Sequence, residues 1–113
     1  MEKLIKKIKG WFAIRKANKE LTDAILTAEA LFRLHNKRHF VIPDFKHQLR
    51  VFNYSQLKQM KKQGFFSANI KENDFINESF YYTPSDKSCQ YMTPETKEKK
   101  RKMWIAYYKM YRM

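Results

Sequence analysis

The order of apolar and polar positions divides the chain into a long helical stretch, a sheet-forming middle and a terminal helix. Residues 1–36 hold no Pro and a single Gly among strong helix formers, and they predict helix. At about 100° per residue, Leu4, Ile5, Ile8, Trp11 and Phe12 fall on one face. Leu21, Ala24, Ile25, Ala28, Phe32 and His35 fall on another, rotated by more than a quarter turn. One straight helix would bury only one of these faces in a single core. The pattern therefore predicts two units with a break or bend between Gly10 and Glu20. The second stripe is the better core helix, and the first is a basic amphipathic segment whose apolar face needs a partner.

His39–Ile42 is a β-branched and aromatic run that ends at the turn signal Pro43-Asp44, and Leu49–Asn53 is a second strand candidate. Together they predict a hairpin with a loop of about six residues, longer than the commonest hairpin turns. Ser55 is placed to cap a helix over Gln56–Gln63, with Gly64 just past its end and Lys61 and Lys62 in its last turn. Phe65 and Phe66 read as a core anchor before a short helix within Ile70–Asn77. Phe80–Thr83 is strand-like, stops at Pro84 and can add a third strand. Ser85–Met92 is polar loop, after which Thr93 caps a last helix with Pro94 at its first position.

The expected fold is thus a helix-rich α+β domain, in the order α-β-β-α-α-β-α, with a three-stranded antiparallel sheet. Its length of 113 residues suits a single domain. Within it, residues 1–16 form the basic amphipathic segment, 17–92 the α+β core and 93–113 a basic, aromatic C-terminal helix. Leu21–Phe32 should pack on the sheet, with Leu57, Met60, Phe65, Phe66, Phe75 and Ile76 filling the rest of the core.

Composition narrows the functional classes. Hydrophobic residues make up 43% and charged residues 31%, enough apolar material to fold. No apolar run approaches the roughly 18 residues of a membrane span, and the first ten residues are too charged for a signal peptide's apolar stretch. A lone cysteine, Cys89, excludes an intramolecular disulfide and a cysteine zinc cage. These features predict an intracellular protein. The net charge of +13 is spread as +5 over residues 1–20, +5 over 21–68, −2 over 69–92 and +5 over 93–113. Such an excess favours a polyanionic partner: nucleic acid, anionic lipid or an acidic protein face.

Catalytic signatures are missing. The chain has no Gly-rich phosphate loop, no nucleophile elbow and no helical His pair around a Glu. His35 and His39 are four apart, but the helix should end between them, so a capping or half-buried role fits better than metal ligation. Cys89 has no base nearby in sequence. The expectation is a non-enzyme without cofactor or metal.

The basic run Lys97-Glu98-Lys99-Lys100-Arg101-Lys102 is the strongest binding candidate. On a helix it covers almost two turns, so some of its cations must point away from the core, where they would touch phosphates without choosing a sequence. Against this stands the plain alternative of a solvated helix start. Trp104 and Tyr108, in a stripe with Met103, Tyr107 and Tyr111, would stack on bases if exposed, and would otherwise be core. Lys61 and Lys62, with Lys6 and Lys7 of the N-terminal segment, complete the candidate set. The residue pattern around Leu4, Ile8 and Trp11 also suits an interfacial membrane helix, an acceptor that ranks with nucleic acid and behind docking on protein. A helix-turn-helix over residues 55–77 is a poor match, because its recognition helix would carry Glu72 and Asp74 toward the phosphates.

The stretches NKRHFVIPDFKHQLRVFN (residues 36–53), SQLKQMKKQGFF (55–66) and ESFYYTP (78–84) resemble small basic proteins encoded by bacteriophages of gut Bacteroidetes, microvirus-like ones in particular. The likeness covers less than half of the chain and carries no functional residue. It implies context: a phage product in the cytoplasm of a bacterial host, or in the virion. The leading expectation is a non-catalytic, largely sequence-independent nucleic-acid-binding accessory protein, with DNA the expected partner. The rival is a structural component that docks through its amphipathic termini onto a capsid-like protein or a second copy of itself.

Overall fold

A computed structural model describes residues 2–112, with side chains from residue 10 onward. Helix α1 (Glu2–His35) is followed by the hairpin β1 (His39–Pro43) and β2 (Leu49–Asn53). After these come α2 (Tyr54–Lys62), α3 (Glu72–Glu78), β3 (Tyr81–Tyr82) and α4 (Pro94–Tyr111). This is the expected α+β order, and the sheet is antiparallel with β1 central, in the order β2-β1-β3.

Period-two alternation in the strands creates two cores on opposite sheet faces. Val41, Val51 and Tyr81 point toward α1 and α4, where Ala17, Leu21, Ala28, Trp104 and Tyr108 meet them. Phe40, Ile42, Phe52 and Tyr82 point the other way, onto Leu57 of α2 and Phe75 of α3. The sheet is therefore the middle layer between two helical layers. Only two residues of β3 have ladder geometry, but the Phe80 N–H donates to the Val41 carbonyl (2.9 Å) and the Thr83 N–H to that of His39 (3.0 Å). Pairing with β1 thus spans the expected Phe80–Thr83.

The expected break between Gly10 and Glu20 is absent: α1 runs unbroken for 34 residues. At 1.5 Å per residue this is about 51 Å, matching the longest molecular dimension of 52 Å. The bend is needed only if both apolar faces are to be buried. Instead the second stripe extends upstream through Ala17 and Ala13, while Trp11 and Phe12 of the first are 54% and 51% exposed; Leu4, Ile5 and Ile8 lie outside the residues whose side chains are described. A solitary Gly10 costs the helix only about 1 kcal/mol, too little to break it. His35, assigned to the buried stripe, is exposed at the helix end.

The start of α2 also differs from expectation. Asn53, not Ser55, is the cap: its Oδ1 accepts the Gln56 N–H (2.8 Å) and Gln56 Oε1 accepts the Asn53 N–H (2.8 Å). This reciprocal box satisfies two orphan donors and starts the helix where β2 ends. The expected end is found. Gly64 adopts φ +88°, the Gly64 N–H donates to the Lys61 carbonyl and the Phe65 N–H to that of Met60, which closes the helix in a Schellman turn. That turn sends Phe66 inward, edge-on to Phe75 (5.1 Å), and leaves Phe65 58% exposed. Phe65 is therefore not the core anchor expected, since neighbouring side chains here leave the backbone on opposite sides.

At the last helix, Thr93 Oγ1 accepts the Thr96 N–H (3.2 Å) and Pro94 occupies the first turn, as the sequence requires. The tip of the hairpin is tied to the far end of this helix. His47, at φ +64°, stacks on Tyr111 at 4.5 Å, and its Nδ1 hydrogen-bonds the Tyr107 hydroxyl at 2.6 Å. Arg112 clamps the same corner by pairing with Glu20 of α1 (2.6 Å).

Candidate nucleic-acid interface

The basic run of α4 separates by helical angle into inward and outward side chains. Lys100, Trp104 and Tyr108, spaced four apart, point inward and are all buried. The Lys100 ammonium donates to the carbonyls of Ser79 (2.6 Å), Ile76 (2.8 Å) and Asn77 (3.3 Å), which close the C-terminal turn of α3. It also lies 5.4 Å from the centre of the Tyr82 ring. Cations are favoured at helix C-termini, so this lysine serves α3. Burial pushes its pKa below the ordinary lysine value, against the opposing pull of Glu78. Lys100 is thus withdrawn from the expected phosphate-contacting set.

Arg101 is also engaged, with Glu98 on its own helix and with Asn18 Oδ1 of α1 (3.2 Å). Trp104 is fully buried, and its Nε1–H donates to the Ala17 carbonyl at 2.8 Å. Tyr108 is 7% exposed. Neither ring can stack on a base, which overturns that expectation. The cause is simple: both rings pack in the core with Ala17, Leu21 and Ala28 of α1 and Val41 and Tyr81 of the sheet.

Lys97, Lys99 and Lys102 are exposed as expected. Lys97 sits near the inward stripe but beyond the packed layer, 5.9 Å over the Tyr81 ring. Lys99 and Lys102 lie on the face opposite Trp104, and Lys109 continues that face two turns later. Lys109 was not among the residues expected from sequence, because it stands alone outside the basic run. Lys61 is partly spent: its Nζ donates to the Ile70 carbonyl (2.9 Å), whereas Lys62 is exposed. Lys6 and Lys7 lie outside the residues whose side chains are described.

A second surface escaped the sequence reading. Phe45, at the hairpin tip, and Phe65, after α2, line one open groove of about 640 Å³ together with Phe52, Phe66 and Met60. Lys46 and Arg50 stand at its rim. Asp44 is the acidic group there. Burial pushes its carboxyl up, but the N–H groups of Gln48 and Lys46 and the Arg50 guanidinium outweigh this and hold it below the usual range. One available signal was the charge of residues 37–66, which carry seven Lys or Arg and a single acidic residue.

Among the described residues, no group of three or more His, Cys, Asp or Glu is placed to hold a metal ion, and no helix is long and apolar enough to cross a membrane. Comparison with protein-family models, with curated proteins and with solved structures finds no match for this chain.

Proposed function

We propose that this protein is a non-catalytic, largely sequence-independent nucleic-acid-binding accessory protein. One observation carries the reading: the four ion pairs among the described residues are all made by arginine, and none by lysine. Eighteen of the 24 cationic residues are lysines. Exposed ammonium groups such as Lys99, Lys102, Lys109 and Lys62 therefore face solvent with no carboxylate among the described residues at ion-pair distance. Charges of this kind gain by displacing counterions from a phosphate backbone, and they attract it without reading bases. The resemblance to phage proteins suits this role, with phage DNA in the host cytoplasm or virion as the target.

The test is fluorescence anisotropy on labelled DNA across a salt series, with Lys97→Gln/Lys99→Gln/Lys102→Gln beside the parent chain. Each lost duplex phosphate contact should flatten the plot of log affinity against log salt by about 0.9. A parent chain that binds no DNA at low salt overturns the proposal. A second reading, assembly through the N-terminal part of α1, is favoured by Trp11 and Phe12, which lie exposed and edge-to-face at 5.1 Å. It predicts a self-associated or shell-bound chain that comes apart when both rings are removed.

A further inference from the structure

We propose that the groove between the β1–β2 hairpin and the turn after α2 takes unpaired bases, so that single-stranded nucleic acid is the preferred class of ligand. The inference rests on the nucleic-acid reading and gives it a site distinct from the lysine face of α4. Three observations carry it.

The first is open aromatic surface. Phe45 is 81% exposed and Phe65 58%, both line the same groove, and neither is paired with another aromatic ring among the described residues. Exposed rings of this kind offer stacking faces that accept any base.

The second is charge. The groove's own lining holds two cations, Lys46 and Arg50, and one acid. That acid is engaged, since Asp44 accepts the N–H groups of Lys46 (2.8 Å) and Gln48 (3.0 Å) and pairs with Arg50 (3.0 Å). Lys46 lines the groove and remains exposed, placed to meet a phosphate. The same charge opposes a second copy of the chain as occupant, because docking groove to groove would bring two basic hairpins together.

The third is rigidity. The hairpin tip is held by the stacking of His47 on Tyr111 and by its hydrogen bond to Tyr107, so Phe45 stands on an anchored loop and little ordering entropy opposes binding. In a duplex the base faces are already stacked on one another, which is why this groove favours single strands.

The experiment uses the full chain with a fluorescein-labelled oligo-dT of about 12 nucleotides, within the range of single-strand site sizes, and a duplex of equal length. The variant is Phe45→Ala/Phe65→Ala, whose exposed rings should leave the melting temperature unchanged. The expected result is a loss of about tenfold or more on oligo-dT, from the stacking of two bases, with duplex affinity and salt slope unaltered. Phe45→Trp should retain oligo-dT binding and Phe45→Leu should not. An unchanged affinity for oligo-dT in the double variant, an equal loss on duplex, or full binding by Phe45→Leu overturns the groove assignment while the lysine reading stands. A parent chain that binds neither probe at low salt overturns both.

Discussion

Lys99 and Lys100 are adjacent and chemically identical, yet their replacement by Met should have opposite consequences. Lys100 places two short hydrogen bonds, to Ser79 and Ile76, and a longer one to Asn77, inside a site that leaves it 6% exposed. Hydrogen bonds from a charged donor contribute about 1.5–3 kcal/mol each. Met retains the aliphatic stem and removes the cost of burying an ammonium, several kcal/mol for a poorly paired charge. It leaves the carbonyls at the end of α3 without a donor, however. The balance is a destabilisation of about 2 kcal/mol, or a melting temperature lower by about 8 °C in a domain of this size. Lys99→Met, on an exposed helix face, should stay within about 0.5 kcal/mol of the parent. Thermal and urea unfolding followed by circular dichroism measure both variants. On DNA, Lys99→Met should flatten the salt dependence by about 0.9, one duplex phosphate contact, and Lys100→Met should leave the slope unchanged. Equal stability of the two variants, or a salt slope lowered only by Lys100→Met, would refute the placement of Lys100 beneath α3.

Two further outcomes are expected. Trp104→Phe should destabilise by about 1–2 kcal/mol through the lost bond to the Ala17 carbonyl and the smaller ring, visible as a lower urea midpoint. Once the protein is fully folded at low temperature, its DNA affinity should equal the parent's, which stacking by Trp104 would not allow. His39 is buried, and its pKa is lowered first by desolvation and further by the nearby charges of His35 and Lys37, against the raising effect of its bond to the Lys37 carbonyl. The neutral ring is therefore favoured by folding. That contribution is complete above the unfolded value of 6.5 and is lost as pH falls through the lower folded value. Melting temperature should drop between about pH 7 and pH 5 more in the parent than in His39→Gln, and parallel curves would show that His39 is not the group responsible.

Features governed by near neighbours were legible from the residues themselves. The hairpin strands follow from β-branched and aromatic runs around Pro43-Asp44, the end of α2 from Gly64, and the start of α4 from Thr93-Pro94, because each depends on side chains a few positions apart. Even the error at Ser55 was a local one: Asn53 and Gln56 together satisfy more backbone donors than Ser55 could alone. The continuity of α1 was misread for a different reason. Burial of both its faces was assumed, and whether a face is buried depends on what lies across from it.

The candidate site depended most on tertiary structure. Residues 97–102 determined that α4 would be basic and that not all its cations could share one side. Which lysine turned inward was decided by the carbonyls of Ile76 and Ser79, more than 20 positions away, and by α1, against which Trp104 packs. The groove joining Phe45 to Phe65 arises in the same way, from a hairpin tip and a helix exit that meet only once the sheet has formed. Charge and helix propensity reside in the residues themselves and can be read in order along the chain. Exposure is a property of the packed layers, so the division of identical lysines into structural and solvent-facing groups exists only in the folded molecule.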